Sequence, residues 1–111
     1  PRAELSAPLL RELADLDDRA FREVFAGSPI KRIGRDRFVR NVMVAIGNSG
    51  TTSLTETCIR RLDDEAPLVR GASAWALGEL SPQAFASERA SRIARETDPG
   101  VCEEWNAGPA A

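Results

Sequence analysis

The chain has no histidine and no tyrosine among its 111 residues. The first absence removes the commonest general base and the commonest transition-metal ligand. Only two cysteines are present, Cys58 and Cys102, far apart and without a CxxC spacing. They read as free thiols of a cytoplasmic protein, not as a disulfide framework. Aromatic residues are scarce: Phe21, Phe25, Phe38, Phe85, Trp75 and Trp105. Most fall on apolar helix faces and read as core, so an aromatic platform for stacked bases is not expected. No apolar run approaches the roughly 18 residues that span a bilayer, and the opening "PRAELSAPLL" lacks a signal-peptide layout. There is no phosphate-binding loop motif. Together these absences count against an enzyme that works by itself.

What is present describes a helical domain. A length of 111 residues and an apolar fraction of 42% suit one compact domain with a real core. The chain opens at Pro1 and not at Met, as a piece of a longer protein would. Hardly any stretch alternates with the period of a strand. Leu9, Leu10, Leu13 and Leu16 sit at helical spacing. Asp17 or Asp18 caps a second helix with Phe21, Val24 and Phe25 on one face, and Gly27-Ser28-Pro29 stops it. A third helix begins at about Arg35 or Asp36. Phe38, Val39, Val42, Met43 and Ile46 form its buried stripe, with Arg37, Arg40 and Asn41 on the opposite side. It ends at Gly47-Asn48-Ser49-Gly50.

A fourth helix is expected over about 53–62, with Leu54, Cys58, Ile59 and Leu62 inside. The fifth is "PLVRGASAWALGEL", dense in small residues that admit a close neighbour. Gly71 within it costs about 1 kcal/mol of helix propensity relative to Ala and predicts a packing reason. A sixth helix runs over about 82–96, a short seventh over 101–105, and "NAGPAA" reads as a frayed tail. The pattern of Asp, Pro, Val-Arg and an Ala-rich helix ending in Leu-Gly returns at about 30 to 32 residues. It resembles HEAT repeats. The expected fold is therefore all-α, a HEAT-like α-α superhelix of six to seven helices over 1–111. Residues 7–34 give leading helices and a basic loop, and 35–111 the repeat helices.

Net charge is −2, which disfavours wholesale coating of nucleic acid. Yet Lys31, Arg32, Arg35, Arg37 and Arg40 stand against one acid, Asp36, at a helix start, where the helix dipole favours negative charge. A bound anion would relieve this, and a phosphate backbone is the natural candidate. A solvated basic face paired with Asp15, Asp17 and Asp18 explains the same charge run. Asn41, a poor former in a helix interior, either bonds a neighbouring loop or faces a ligand. Arg70 is expected in a structural pair, with the preceding Asp63-Asp64-Glu65 as partners. Those acids, like Glu103-Glu104, read as caps and solvation. Cys58 reads as core.

The stretch "GSPIKRIGRDRFVRNVMVAIGNSG", preceded by "LDDRAFREVF" and followed by "VRGASAWALGEL", resembles the C-terminal part of epoxyqueuosine reductases. Ser-Pro-Ile-Lys-Arg, and Arg40-Asn41 followed by an apolar run and Gly-Asn, are not generic HEAT features. The resemblance implies an oxidoreductase of tRNA queuosine biosynthesis, once named an iron–sulfur cluster-binding protein. It uses cobalamin and two [4Fe–4S] clusters, held in catalytic parts upstream. It further implies that this region helps to hold the tRNA anticodon stem-loop. Lys31, Arg32, Arg35, Arg37 and Arg40 are then the candidate phosphate contacts, and Asn41 a candidate sugar or backbone contact. The cysteine runs that ligate such clusters are absent, so this chain is expected to carry no cluster, no cobalamin and no reductase activity of its own. The alternative is a HEAT-like scaffold that docks a partner protein or the catalytic domain of the same chain. A continuous positive band would favour RNA, and an exposed apolar groove would favour protein.

Overall fold

The computed structural model describes residues 2–109, with side chains from Ala7 onward. The described residues hold seven α-helices and no strand: α1 (Arg2–Ala14), α2 (Asp18–Val24), α3 (Arg35–Ser49), α4 (Thr55–Arg61), α5 (Pro67–Leu80), α6 (Pro82–Arg92) and α7 (Pro99–Ala107). Short 3₁₀ turns at Pro29–Ile33 and Thr52–Leu54 precede α3 and α4. The all-α expectation of six to seven helices holds.

Local chemistry sets most of the boundaries. Asp17 caps α2 by accepting from the Ala20 N–H at 2.8 Å, and Ser28 caps the 3₁₀ turn through the Ile30 N–H at 3.2 Å. Ser81 and Asp98 cap α6 and α7 through the N–H groups of Ala84 and Val101. Proline occupies the first turn of α5, α6 and α7, where its missing N–H costs nothing. α3 ends at Gly50, which is left-handed at φ 67°, a conformation glycine adopts without steric penalty.

The helices stack by alternate members. α1 lies on α3, α3 packs most extensively on α5, and α5 packs on α7, with α2, α4 and α6 alongside. The starts of α3, α5 and α7, at residues 35, 67 and 99, fall at a regular interval of 32. This interval is at the upper end of the 30 to 32 residues expected from the sequence. The result is a slab of 44 × 35 × 16 Å.

The core follows the predicted stripes, with two departures. Val39, Met43 and Ile46 from α3, Leu54 from the 3₁₀ turn before α4, Cys58 from α4, and Val69, Ala74 and Leu77 from α5 are fully buried. Leu9 and Val24, read as apolar-face residues, are instead 54% and 58% exposed. α2 has only seven residues, so one aromatic edge suffices to seat it. That edge is a Phe21–Phe25–Phe38 cluster with ring centroids 4.8–5.4 Å apart. Tilted pairs at this distance add to the area they bury, and the cluster fixes α2 on the first turn of α3.

The α3 to α5 contact depends on Gly47. A methyl there would run into the Trp75 ring and lie 3.0 Å from the Ala76 Cα. The glycine is what lets the two helices approach.

Candidate nucleic-acid interface

The basic stretch spans two elements joined by one residue. Lys31 and Arg32 lie in the 3₁₀ turn, and Arg35, Arg37, Arg40 and Asn41 lie on α3. The joint is Gly34, with φ 82° and ψ 158°. Its positive φ is strained for any residue with a Cβ. Gly34 offers no side-chain cap to α3, so the first N–H groups of α3 have no side-chain acceptor at the cap position.

Five of the six predicted residues face solvent. Lys31, Arg32, Arg37, Arg40 and Asn41 are all exposed. Arg37, Arg40 and Asn41 share one face of α3 through i, i+3 and i+4 spacing, opposite the buried stripe, as the pattern required. The Arg40 Nη1 donates to the Asn41 Oδ1 at 3.1 Å. Asn41 is exposed and bonds no neighbouring loop among the described residues, so the expected loop-locking bond is not formed.

Arg35 stands apart from the cluster. Its side chain is 10% exposed. Its Nε donates to the Leu16 carbonyl at 2.8 Å, and its two Nη atoms donate to the Asp64 carboxylate at 2.9 and 2.7 Å. Nη1 also reaches the Asp36 Oδ1 at 3.1 Å. The Arg35 guanidinium thus ties the α1–α2 junction to the start of the next repeat. The Asp64 hydrogen bonds raise its pKa, against the opposing effect of burial.

Asp64, read from sequence as cap and solvation, is a buried electrostatic centre. Its side chain is 4% exposed. It also accepts from the Ala66 N–H at 3.0 Å and from Arg61 at 3.3 Å. Burial pushes its pKa up, but the Arg35 hydrogen bonds, the Ala66 N–H and the two positive charges outweigh this and hold it below the ordinary carboxylate value.

The same device recurs one repeat later. Arg70 grips Glu96 through Nε at 3.0 Å and Nη2 at 2.9 Å, and Glu96 in turn accepts from the Thr97 and Asp98 N–H groups. Arg70 also reaches the carbonyls of Asp64 and Glu65. The expected structural pair is present; its carboxylate comes from Glu96, and the preceding acids contribute backbone oxygens only.

The acids named as alternative partners of the basic face are engaged elsewhere. Asp15 pairs with Arg60 at 3.1 Å, Asp18 with Arg22, and Asp17 caps α2. Among the described residues, no acid lies within salt-bridge distance of Lys31, Arg32, Arg37 or Arg40.

Burial pushes the Cys58 thiol up to about 12, far from the reactive thiolate range. Two thiols cannot supply the four thiolates of a [4Fe–4S] cluster, and no group of three or more metal-ligating side chains gathers among the described residues. The residues present do not fit such a cluster. No described helix is long and apolar enough to cross a membrane.

No family model matches the chain. It is 38% identical to the epoxyqueuosine reductase of Escherichia coli (strain K12) over 79 residues, 71% of this chain and 21% of that protein. It is 29% identical to the epoxyqueuosine reductase of Bacillus subtilis (strain 168) over 99 residues, 88% of this chain and 26% of that protein. The chain is a relative of part of epoxyqueuosine reductase. A crystal structure of epoxyqueuosine reductase with a tRNA-Tyr epoxyqueuosine-modified tRNA stem loop superposes with a TM-score of 0.81 at 26% identity. That match covers 87% of this chain and 26% of the solved one. The chain spans about a quarter of the length of the reductases it matches.

Proposed function

We propose that this chain is the tRNA-positioning part, C-terminal by resemblance, of an epoxyqueuosine reductase, and that it holds the anticodon stem-loop while other parts of such an enzyme carry out the reduction. The observation that carries this reading is the set of four exposed cations, Lys31, Arg32, Arg37 and Arg40, without an acidic partner among the described residues, beside the uncapped start of α3. An RNA backbone supplies anions at the spacing such a row can meet, through phosphate contacts that position without reading sequence. The stem-loop bound in the similar solved structure supports the choice of RNA. Asn41, beside Arg40, is suited to a sugar or backbone contact. Arg35 serves the same surface from below, by fixing the first turn of α3.

No reduction step is derived from this chain. In a full-length reductase, cobalamin and the two [4Fe–4S] clusters would be held by other parts, and a catalytic domain of the same chain would be the second partner.

The test is a fluorescence-anisotropy titration of an anticodon stem-loop RNA at several salt concentrations. Charge reversal at Lys31, Arg32 and Arg37 is expected to weaken binding and to flatten the dependence of log K on log salt by about 0.7 to 0.9 for each contact removed. An unchanged slope in the triple variant would overturn the reading.

A further inference from the structure

The outer face of α3 that carries Arg37 and Arg40 leads into a groove. Val44 follows Arg40 by one turn on the same face, and both line an open cavity of about 530 Å³ between α3 and α7. Its floor is α5, which presents Leu68, Ala72 and Trp75. Leu68 is exposed. Trp75 is half-buried, with one ring edge against Gly47, so the helix crossing sets its place. The far wall is α7. There the Glu104 stem lies over the buried Gly71, where a Cβ would meet the Glu104 Cγ at 3.8 Å.

Two opposite charges line this groove, and neither is neutralised. Among the described residues Arg40 bonds Asn41 and no acid, and Glu104 forms no ion pair. Asp98, on the same wall, already accepts from the Val101 N–H as the cap of α7. An occupant that satisfies the groove therefore carries an anion at one end, a hydrogen-bond donor at the other and an apolar body between.

We propose that this groove takes one splayed-out nucleotide of an RNA loop, its phosphate on Arg40, its base against Leu68, Ala72 and Trp75, and a base amino group donating to Glu104. The inference deepens the RNA reading above and rests on it. That reading gives Arg40 a phosphate, and the same arginine at the edge of the groove delivers the attached base inward. Glu104 repels a phosphate, so what enters is the base and not the backbone. The carboxylate also chooses the base. Cytosine offers an amino group at its 4-position where uracil offers a carbonyl oxygen, and a carboxylate accepts from the first and repels the second. The few aromatics rule out a platform for several stacked bases, but one base needs only Trp75. Unpaired bases held on aromatic or arginine surfaces and read along their pairing edge are how proteins commonly read RNA sequence. The exposed cations position the loop, and Glu104 gives it a sequence preference.

The test compares three forms of one stem-loop RNA with the same stem and the same phosphates: a cytidine loop, a uridine loop and an abasic loop. Affinity is read by fluorescence anisotropy and groove occupancy by Trp75 emission, Trp105 being only 2% exposed. The cytidine loop is expected to bind about tenfold more tightly than the uridine loop and to quench Trp75, which the abasic loop leaves unchanged. Glu104→Gln, whose amide can accept or donate, is expected to bring the cytidine-to-uridine ratio to within about twofold at unchanged Tm. The abasic loop keeps the salt-dependent binding expected of Lys31, Arg32 and Arg37, because its phosphates remain. Equal cytidine and uridine affinities with that salt-dependent binding intact would overturn this inference alone. So would a ratio that survives Glu104→Gln, or Trp75 emission that responds to the abasic loop. No binding of any loop would overturn the RNA reading and this inference with it.

Discussion

Arg35 and Asp64, 29 residues apart, form a two-pronged ion pair at 2.9 and 2.7 Å that joins the first turn of α3 to the loop before α5. The carboxylate is nearly fully buried and satisfied on both oxygens, by Arg61 and the Ala66 N–H as well. Bidentate geometry of this kind is what arginine supplies and lysine cannot.

Removing one partner leaves the other charge buried. Asp64→Ala is expected to cost about 3 kcal/mol, read as a shift of the urea midpoint at unchanged m-value. Arg35→Lys should lose a substantial part of the same stability, because one ammonium cannot replace the fork. Wild-type stability in Asp64→Ala would contradict the role given to the pair.

The same pair separates folding from binding. Arg35→Gln is expected to lower Tm but, where folded, to keep the salt slope for stem-loop RNA. Lys31→Glu and Arg32→Glu are expected to do the reverse. If Arg35→Gln flattened the salt slope as much as Arg32→Glu, the division of labour between buried and exposed cations would be wrong.

Stability should fall in acid. The Asp64 carboxyl lies below its ordinary range because its arginine and N–H contacts outweigh burial, and Arg70 depresses Glu96. A depressed folded pKa contributes stability that is fully present above the unfolded pKa and is lost as pH falls through the folded one. Unfolding free energy is therefore expected to be flat on these groups' account above roughly pH 5, and to decline as pH drops through the carboxylate range near 4 and below. Asp64→Asn should show a shallower decline, measurable by denaturation at a series of pH values.

The helix crossing at Gly47 should tolerate no side chain. Gly47→Ala places a methyl against the Trp75 ring and the Ala76 backbone, and overpacking of this kind costs about 1 to 3 kcal/mol. The indole emission of Trp75 should shift with it. Gly71→Ala provides the opposite control on the same α5 layer.

Much of the fold was readable because helical chemistry is local. Pro67 at the first turn and an unbroken run of small and apolar residues marked α5 at its observed bounds, Pro67–Leu80. The apolar stripe of α3 placed Arg37, Arg40 and Asn41 on the outer face, where they are found. The seventh helix was underestimated, since Asp98 caps it and it begins at Pro99. In the sequence Gly27-Ser28-Pro29 marks only a stop, because a Ser28 cap and a proline are compatible with more than one kind of turn; the structure forms a 3₁₀ turn over Pro29–Ile33.

Sequence by itself determined the helices and the outer face of α3 that carries Arg37, Arg40 and Asn41, since each depends on spacing within a few turns. Tertiary structure decided which charges are free. Arg35 and Arg40 look alike in the sequence; one is consumed by Asp64 and the other left open, and only a contact between residues distant along the chain tells them apart. It also decided the two glycines. Gly47 and Gly71 are both buried helix residues, but a methyl on the first would run into Trp75 and one on the second would meet Val101 and Glu104 at ordinary contact distance, because that difference lies in the neighbouring helix and not in the residue.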